Sequence, residues 1–418
     1  MHRQPAHSGR SSQFFRPAVL VLSTFLLLIT AFPVVHASDY ASPGSYAAGW
    51  TRVTITRADL TTFTARLYYP ARTRGQDMQY DRAGAPYPAI VFGHGYQINP
   101  TFYGSLLEHL ASWGYFVCAP ESGLELFPNH KRFAEDLSRC LTYLEQEDSR
   151  KGAWLADQVD AAHFGASGHS MGAGASILAA QADARIRAVA NLSAAETNPS
   201  AVAAAPGVAV PVRLIVGSAD GIVSPAQTAS IFAAARAPRQ LSVIQGGTHC
   251  GFLDTNAQFC DPAGMARLTQ LSQTRRLLTG FFNLYLKSDQ SAWRETWGPE
   301  LLADPLVRTQ ADPGSNLGPV DREGSSAAKG KASYALTLTN TGPRAVSYSL
   351  SFESNRWPTT TAPLQTVVLK PNETAQVTVE VLEPAAAAED ESDVVIVSAR
   401  NDADGGTRSY VRIETTAK

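Results

Sequence analysis

Gly168-His169-Ser170-Met171-Gly172 restricts the folds open to this chain more than any other stretch. Strand-like residues precede it (161–167) and helix-like residues follow it (173–180). A serine at such a strand-to-helix turn is forced into a strained backbone conformation that leaves its hydroxyl exposed at the top of a sheet. The flanking glycines are required because side chains there would collide with the neighbouring strand and helix. An idle serine in a small-residue turn would satisfy the pentapeptide alone, but not the pentapeptide in this context.

An acid and a base follow in chain order. Residues 212–216 read as a short buried strand, and Gly217-Ser218-Ala219-Asp220-Gly221 forms the turn at its C-terminal end, ahead of a helix-like run over 225–235. Ligands and catalytic groups gather at such strand ends in an open α/β sheet. A second strand, 240–244, leads into Gly246-Gly247-Thr248-His249-Cys250-Gly251, whose histidine is placed to reach back to the serine. The order Ser170, Asp220, His249 is that of an α/β-hydrolase triad.

The chemistry calls for these residue types. A serine hydroxyl is a weak nucleophile until a neighbouring base takes its proton. An imidazole does so near neutral pH and later returns the proton to the leaving group. A buried carboxylate holds its tautomer and stabilises the imidazolium. Glu196, after the strand 186–191, is the alternative acid; His169 is expected to point back into the elbow, and His94 precedes the nucleophile. The oxyanion hole needs two backbone N–H donors. Met171, next to the nucleophile, supplies one, and Tyr96 in the loop Gly93-His94-Gly95-Tyr96 supplies the other. The Tyr96 ring either covers the site or faces the substrate.

Gly93-His94-Gly95-Tyr96, Gly168-His169-Ser170-Met171-Gly172-Ala173-Gly174, Ser218-Ala219-Asp220 and Gly246-Gly247-Thr248-His249 together resemble the dienelactone hydrolase superfamily. The branch in question holds the bacterial cutinase-like polyester (PET) hydrolases and the chlorophyllase-like esterases. The resemblance covers about residues 45–305 and implies an α/β-hydrolase fold with a catalytic triad. Dienelactone hydrolase itself uses a cysteine nucleophile, so Ser170 implies esterase chemistry. Polyester hydrolases carry a tryptophan in the loop after the strand that follows the elbow. Here that loop, 192–199, holds no aromatic residue, a departure that favours a soluble ester.

Strand and helix patterns alternate along residues 38–308, as a parallel sheet demands. Tyr103, Leu106, Leu107, Leu110 and Trp113 mark one amphipathic helix, Phe133 to Leu144 a second, and Leu277 to Tyr285 a last one across the sheet; these stripes are core. Between Asn191 and Val212 there is room for only a modest loop, so an open cleft is expected. Residues 309–331, rich in Gly, Pro, Ser and charge, read as a linker. Residues 332–418 alternate with period two between turns at 340–343, 370–372 and 404–406, the pattern of an Ig-like β-sandwich. Trp357 is expected in its core rather than as an exposed binding aromatic.

At the amino terminus, His2, Arg3, Arg10 and Arg16 precede an apolar stretch ended by Pro33. Val35-His36-Ala37 then fits a signal peptidase site before Ser38. Residues 1–37 are therefore read as a signal peptide of the general secretory route, with a retained anchor as the competing reading. Four cysteines permit three pairings, of which Cys250–Cys260 and Cys118–Cys140 are expected. A net charge of −2 and the absence of basic clusters exclude nucleic acid as a partner, and no short Cys/His spacing suggests a metal. The expectation is an exported serine hydrolase of small or polymeric carboxylic esters without a cofactor. The alternatives are an amidase or acyl-peptidase with the same triad, and a non-catalytic surface-binding scaffold. A polymer or a cell surface is the candidate partner of the sandwich.

Overall fold

Tyr87-Pro88-Ala89-Ile90-Val91-Phe92-Gly93 is apolar on both of its alternating faces, which suits a strand covered on both sides. The computed structural model describes residues 39–258, 260–262, 264–319, 321–325, 330–362 and 367–418, and puts this strand near the middle of a ten-stranded mixed sheet. The expected signal peptide and its cleavage point lie outside the described residues. The sheet comprises β1 (Ala47–Thr56), β2 (Thr62–Ala71), β3 (Gly75–Gln76), β4 (Tyr87–Gly93), β5 (Phe116–Pro120), β6 (Val159–His169), β7 (Ile186–Leu192), β8 (Val212–Gly217), β9 (Arg239–Ile244) and β10 (Val307–Asp312). Their order is β10-β9-β8-β7-β6-β4-β5-β2-β1-β3. Strands β4 to β9 run parallel, whereas β2 lies antiparallel to both β1 and β5, and β10 antiparallel to β9.

The connections supply α1 (Gly104–Ser112), α2 (His130–Ser149), α3 (Met171–Ala182), α4 (Ala201–Ala204), α5 (Pro225–Ala234), α6 (Arg267–Leu286), α7 (Trp293–Thr296) and α8 (Pro299–Ala303). They cover both faces. Ala89 and Val91 of β4 join a core with Phe133 and Leu137 of α2, Ile177 of α3 and Ile231 of α5. Ile90 and Phe92 point the other way, into a core with Leu106 and Leu110 of α1 and Phe281 and Phe282 of α6. Strand periodicity thus divides one apolar run between two cores.

The expected linker is a correction, because residues 307–325 carry three strands. Besides β10 there are β11 (Ser315–Gly318) and β12 (Asp321–Ser325). Strand β10 extends the hydrolase sheet along β9, from Val307 opposite Ile244 to Asp312 opposite Arg239. The Gly-Pro-Ser composition belongs to the tight turn after it, where the Asp312 carboxylate accepts the Gly314 N–H (3.0 Å). Only Val307, Ser315 and Leu317 of these strands are buried, so backbone pairing rather than apolar content holds them.

Beyond lie β13 (Lys331–Asn340), β14 (Val346–Glu353), β15 (Thr359–Ala362), β16 (Val367–Leu369), β17 (Thr374–Leu382), β18 (Ser392–Asn401) and β19 (Arg408–Thr416). They form two sheets, β11-β13-β17-β15 and β12-β19-β18-β14-β16. Leu336, Leu338, Val377 and Val379 of the first meet Val395, Val397, Val411 and Ile413 of the second in one core. Trp357 is buried there, as expected. From Asp39 onward the described residues make one compact unit. The turn between β18 and β19 docks on α6. Trp297 Nε1–H donates to Tyr285 Oη (2.6 Å), Tyr285 O–H to Thr407 Oγ1 (2.7 Å), and Thr407 O–H to Asp404 Oδ2 (2.8 Å). Gly406 lies so close that a Cβ there would sit 2.8 Å from the Leu284 side chain.

Cysteine pairing is half as expected. Cys250 and Cys260 form a disulfide. Cys118 on β5 and Cys140 on α2 are instead free, buried thiols. Burial in the apolar layer pushes the Cys140 thiol pKa well up, with Cys118 adding to it, so the thiolate needed for oxidation is disfavoured.

Candidate active site

Strand β6 ends at His169 and helix α3 begins at Met171, so Ser170 alone makes the turn. Its backbone sits at φ 57°, ψ −121°, a conformation that a non-glycine residue adopts only under tertiary constraint. The constraint is visible on both sides. A Cβ on Gly172 would fall 2.2 Å from the Gly93 carbonyl, and one on Gly168 would fall 2.5 Å from Gly172. The elbow is therefore pressed against the loop after β4. The Ser170 N–H donates to Leu192 O (2.9 Å), which ties the turn to the end of β7.

Asp220 and His249 leave the C-terminal ends of β8 and β9, which lie side by side. Their loops pack backbone on backbone, since a Cβ on Gly217 would fall 2.2 Å from Gly247. The pair meets, with His249 Nδ1 2.9 Å from Asp220 Oδ2 and both side chains almost inaccessible. A carboxylate only accepts, so Nδ1 carries the proton and Nε2 is left as the basic nitrogen. Ser193 O–H also donates to Asp220 Oδ2 (2.6 Å), and Oδ1 accepts the N–H groups of Ile222 (3.0 Å) and Val223 (2.8 Å). Glu196, the alternative acid, spends its carboxylate on the N–H groups of Thr197 (3.0 Å), Ala201 (2.7 Å) and Val202 (3.3 Å) at the start of α4.

The two other histidines near the motifs, His94 and His169, are buried in supporting positions. His94 sits between two carbonyls, with Nδ1 2.8 Å from Gly95 O and Nε2 2.7 Å from Ser122 O, and burial lowers its pKa. His169 lies beneath the elbow with its ring 4.3 Å from that of His249. Burial, and then the neighbouring His249, hold its pKa well below the ordinary value, so it is neutral. Its Nδ1 pairs with Tyr103 O–H (2.9 Å), whose oxygen also accepts the Gly95 N–H (3.0 Å). Tyr103 reads as a core residue in the sequence; in the structure it joins the loop bearing Tyr96 to the layer beneath His249.

Tyr96, Ser170 and Met171 line one cleft of about 690 Å³ with Leu126, Phe127, Pro128, Asn129, His130, Ala195, Glu196 and Asn198. Among the described residues, no group takes up the N–H of Tyr96 or of Met171. The Tyr96 hydroxyl donates to Leu126 O (2.8 Å), and its ring is 43% exposed beside the serine. Between β7 and β8 the chain makes only α4 and one short 3-10 turn, the modest loop expected there. Among the described residues no group of three or more His, Cys, Asp or Glu is placed to hold a metal ion.

Sequence reasoning did not reach Ser193, the Tyr103–His169 pair, Gln270 or Asp261. Gln270 on α6 is fully buried and holds Thr248 through both N–H and C=O (2.9 and 2.7 Å). Each bonds across a long stretch of chain, and none stands in a recognisable local pattern.

A protein-family model described as PET hydrolase-like matches residues 36–275, or 240 of the 418. No curated protein matches the chain.

Proposed function

The chain belongs to the PET hydrolase-like family, a family of ester hydrolases with the α/β-hydrolase fold, and from that premise we propose that it cleaves carboxylic esters through Ser170, His249 and Asp220. The observation that carries this reading is the buried His249–Asp220 pair, its imidazole 4.3 Å from the ring of His169, whose chain neighbour Ser170 is held at φ 57°.

Ser170 Oγ attacks the ester carbonyl as His249 Nε2 takes its proton. The Nδ1–H···Asp220 bond keeps the ring in the required tautomer and stabilises the imidazolium. The oxyanion accepts the N–H groups of Tyr96 and Met171, the latter at the amino-terminal end of α3, where the helix dipole favours negative charge. His249 then gives its proton to the departing alcohol, which leaves an acyl-enzyme on Ser170. Water, deprotonated by His249, releases the acid.

The cleft is asymmetric. Tyr96, Leu126, Phe127 and Pro128 give its lining an apolar stretch, whereas Ala195, Glu196 and Asn198, which also line it, bring no aromatic ring. Phe127 is 88% exposed, an unusual state for a large apolar side chain unless something lies against it. An ester whose apolar limb runs along residues 126–128 fits this stretch. Residues 1–37 are read as the export signal, and the C-terminal sandwich as Ig-like.

A p-nitrophenyl ester series from acetate to long acyl chains tests the reading. Turnover is expected in the mature protein and not in Ser170→Ala. Phe127→Ala should raise KM about five- to thirtyfold for long acyl chains, from about 1–2 kcal/mol of lost apolar contact, and leave acetate unchanged. A wild type inert on every ester, or a Ser170→Ala variant as active as wild type, refutes it.

A further inference from the structure

We infer that Asp261 is a positioning residue for the catalytic base, fastening the loop that carries His249 to the loop that carries Asp220; the inference rests on the triad reading above. Asp261 Oδ2 accepts the N–H of His249 (2.6 Å) and the N–H of Gly221 (3.2 Å), and Oδ1 accepts the N–H of Cys250 (3.1 Å). Gly221 directly follows Asp220. One carboxylate therefore grips the residue after the acid, the base itself and the residue after the base. Hydrogen bonds from amides to an ionised carboxylate are about twice as strong as neutral ones.

The placement matters because, among the described residues, the other hydrogen bonds joining the two loops' backbones lie upstream of the pair. There, Ala219 N–H donates to Gly247 O and Gly246 N–H to Ser218 Oγ (both 2.8 Å). Gln270 and Arg267 hold the base loop from α6, through Thr248 and the carbonyls of Cys250 and Leu253. Asp261 supplies the link downstream, so the Asp220–His249 contact is bracketed on both sides. The Cys250–Cys260 disulfide places Asp261 itself, since Cys260 is its neighbour and Cys250 one of the residues it holds. Asp261 is not among the residues lining the ester cleft. Its loss should therefore act on the rate of the chemical step rather than on substrate affinity.

The test compares wild type, Asp261→Asn, Asp261→Ala, Cys250→Ser/Cys260→Ser and the Asp261→Asn triple variant on p-nitrophenyl acetate. Active sites are counted with a fluorophosphonate, so unfolded material does not contribute. An amide at 261 keeps one acceptor oxygen but must turn its NH₂ toward at least one backbone donor, so the three-donor clamp cannot be completed while the size of the side chain is kept. The expected result is a fall in kcat per titrated site of about tenfold to a hundredfold with KM unchanged, the scale of a sub-ångström to ångström misplacement. The cysteine variant should show a fall of similar size, and the triple variant little beyond it, because both changes release the same clamp. The downfield Nδ1–H proton resonance of His249 should broaden in both Asp261 variants. Unchanged kcat per site, or a rise in KM alone, overturns the inference while Ser170-dependent turnover of the wild type leaves the triad standing. A wild type without Ser170-dependent turnover overturns the triad and this inference together.

Discussion

Asp220 accepts four hydrogen bonds, from His249, Ser193, Ile222 and Val223, and its side chain has no solvent access. The backbone donors and Ser193 hold the carboxylate, so its remaining freedom is spent on orienting one imidazole. Asp220→Asn keeps the shape but presents an amide to Nδ1, which favours the wrong tautomer. We expect kcat to fall about ten-thousand-fold with KM nearly unchanged, measured on p-nitrophenyl acetate. A fall of less than tenfold would remove Asp220 from the mechanism. The proposed triad, Ser170, Asp220 and His249, could be picked out of the sequence because each follows a recognisable strand, and a strand end restricts where a side chain can go. Ser193 and Asp261 could not be, because they act on Asp220 and His249 across 27 and 12 residues of chain. Nothing local distinguishes such a serine or aspartate from any other turn residue.

Among the elements, α1 is held to its surroundings by a buried histidine. His109 Nε2 lies 3.0 Å from Tyr40 O, in the segment that precedes β1, and 3.0 Å from Thr279 Oγ1 on α6. Burial, and then the positive charge of Arg275, push its pKa down to about 4 from 6.5. Between those values the unfolded chain binds a proton that the folded chain refuses. Stability is therefore lost as pH falls through that window, by an amount of the order of 3 kcal/mol. Burial shifts His94 and His169 in the same direction. Urea midpoints of wild type and His109→Gln should differ in favour of wild type at pH 8, and the gap should close or reverse by pH 4.5. A gap independent of pH would contradict the assignment. Element type was readable wherever periodicity was strong, as in α2, α6 and the strands of the sandwich. It was not readable in β10, β11 and β12, where partners elsewhere in the chain supply the hydrogen bonds and side-chain composition carries little of the information. The pairing of Cys118 with Cys140 failed for a related reason. Parity and export suggested a bridge, but a strand thiol and a helix thiol enclosed in an apolar layer can pack together without one.

At the scale of the whole molecule, the sandwich and the proposed triad lie at opposite ends of the parallel strands. Ala209, Pro211 and residues 236–238, which enter β8 and β9, line a cavity with Gly314, Asn340, Tyr348 and Asp404. Asp220 and His249 follow the other ends of the same strands. The docking contacts are half-buried. Arg408 lies over the Trp293 ring (4.8 Å) and donates to Gln290 (2.9 Å), while Arg294 pairs with Glu353 (2.9 Å). Tyr285, whose oxygen accepts the Trp297 Nε1–H, depends on Thr407 to take its own O–H. A chain ending at Asp312 would expose these aromatics and leave Tyr285 without an acceptor. We expect full-length protein to unfold in one calorimetric transition, and the truncated chain to melt at least 5 °C lower or to aggregate, as the loss of about 2 kcal/mol or more implies for a domain of this size. Two separate transitions, or an unchanged melting temperature after truncation, would show that the sandwich is energetically independent.

The most direct measurement is the site of covalent modification by a fluorophosphonate on mature protein, read by intact mass and peptide mapping. A single adduct on Ser170, formed in wild type, absent in Ser170→Ala and strongly slowed in His249→Ala, is the expected result. An adduct on another residue, or none under conditions where an ester is turned over, would contradict Ser170 as the nucleophile.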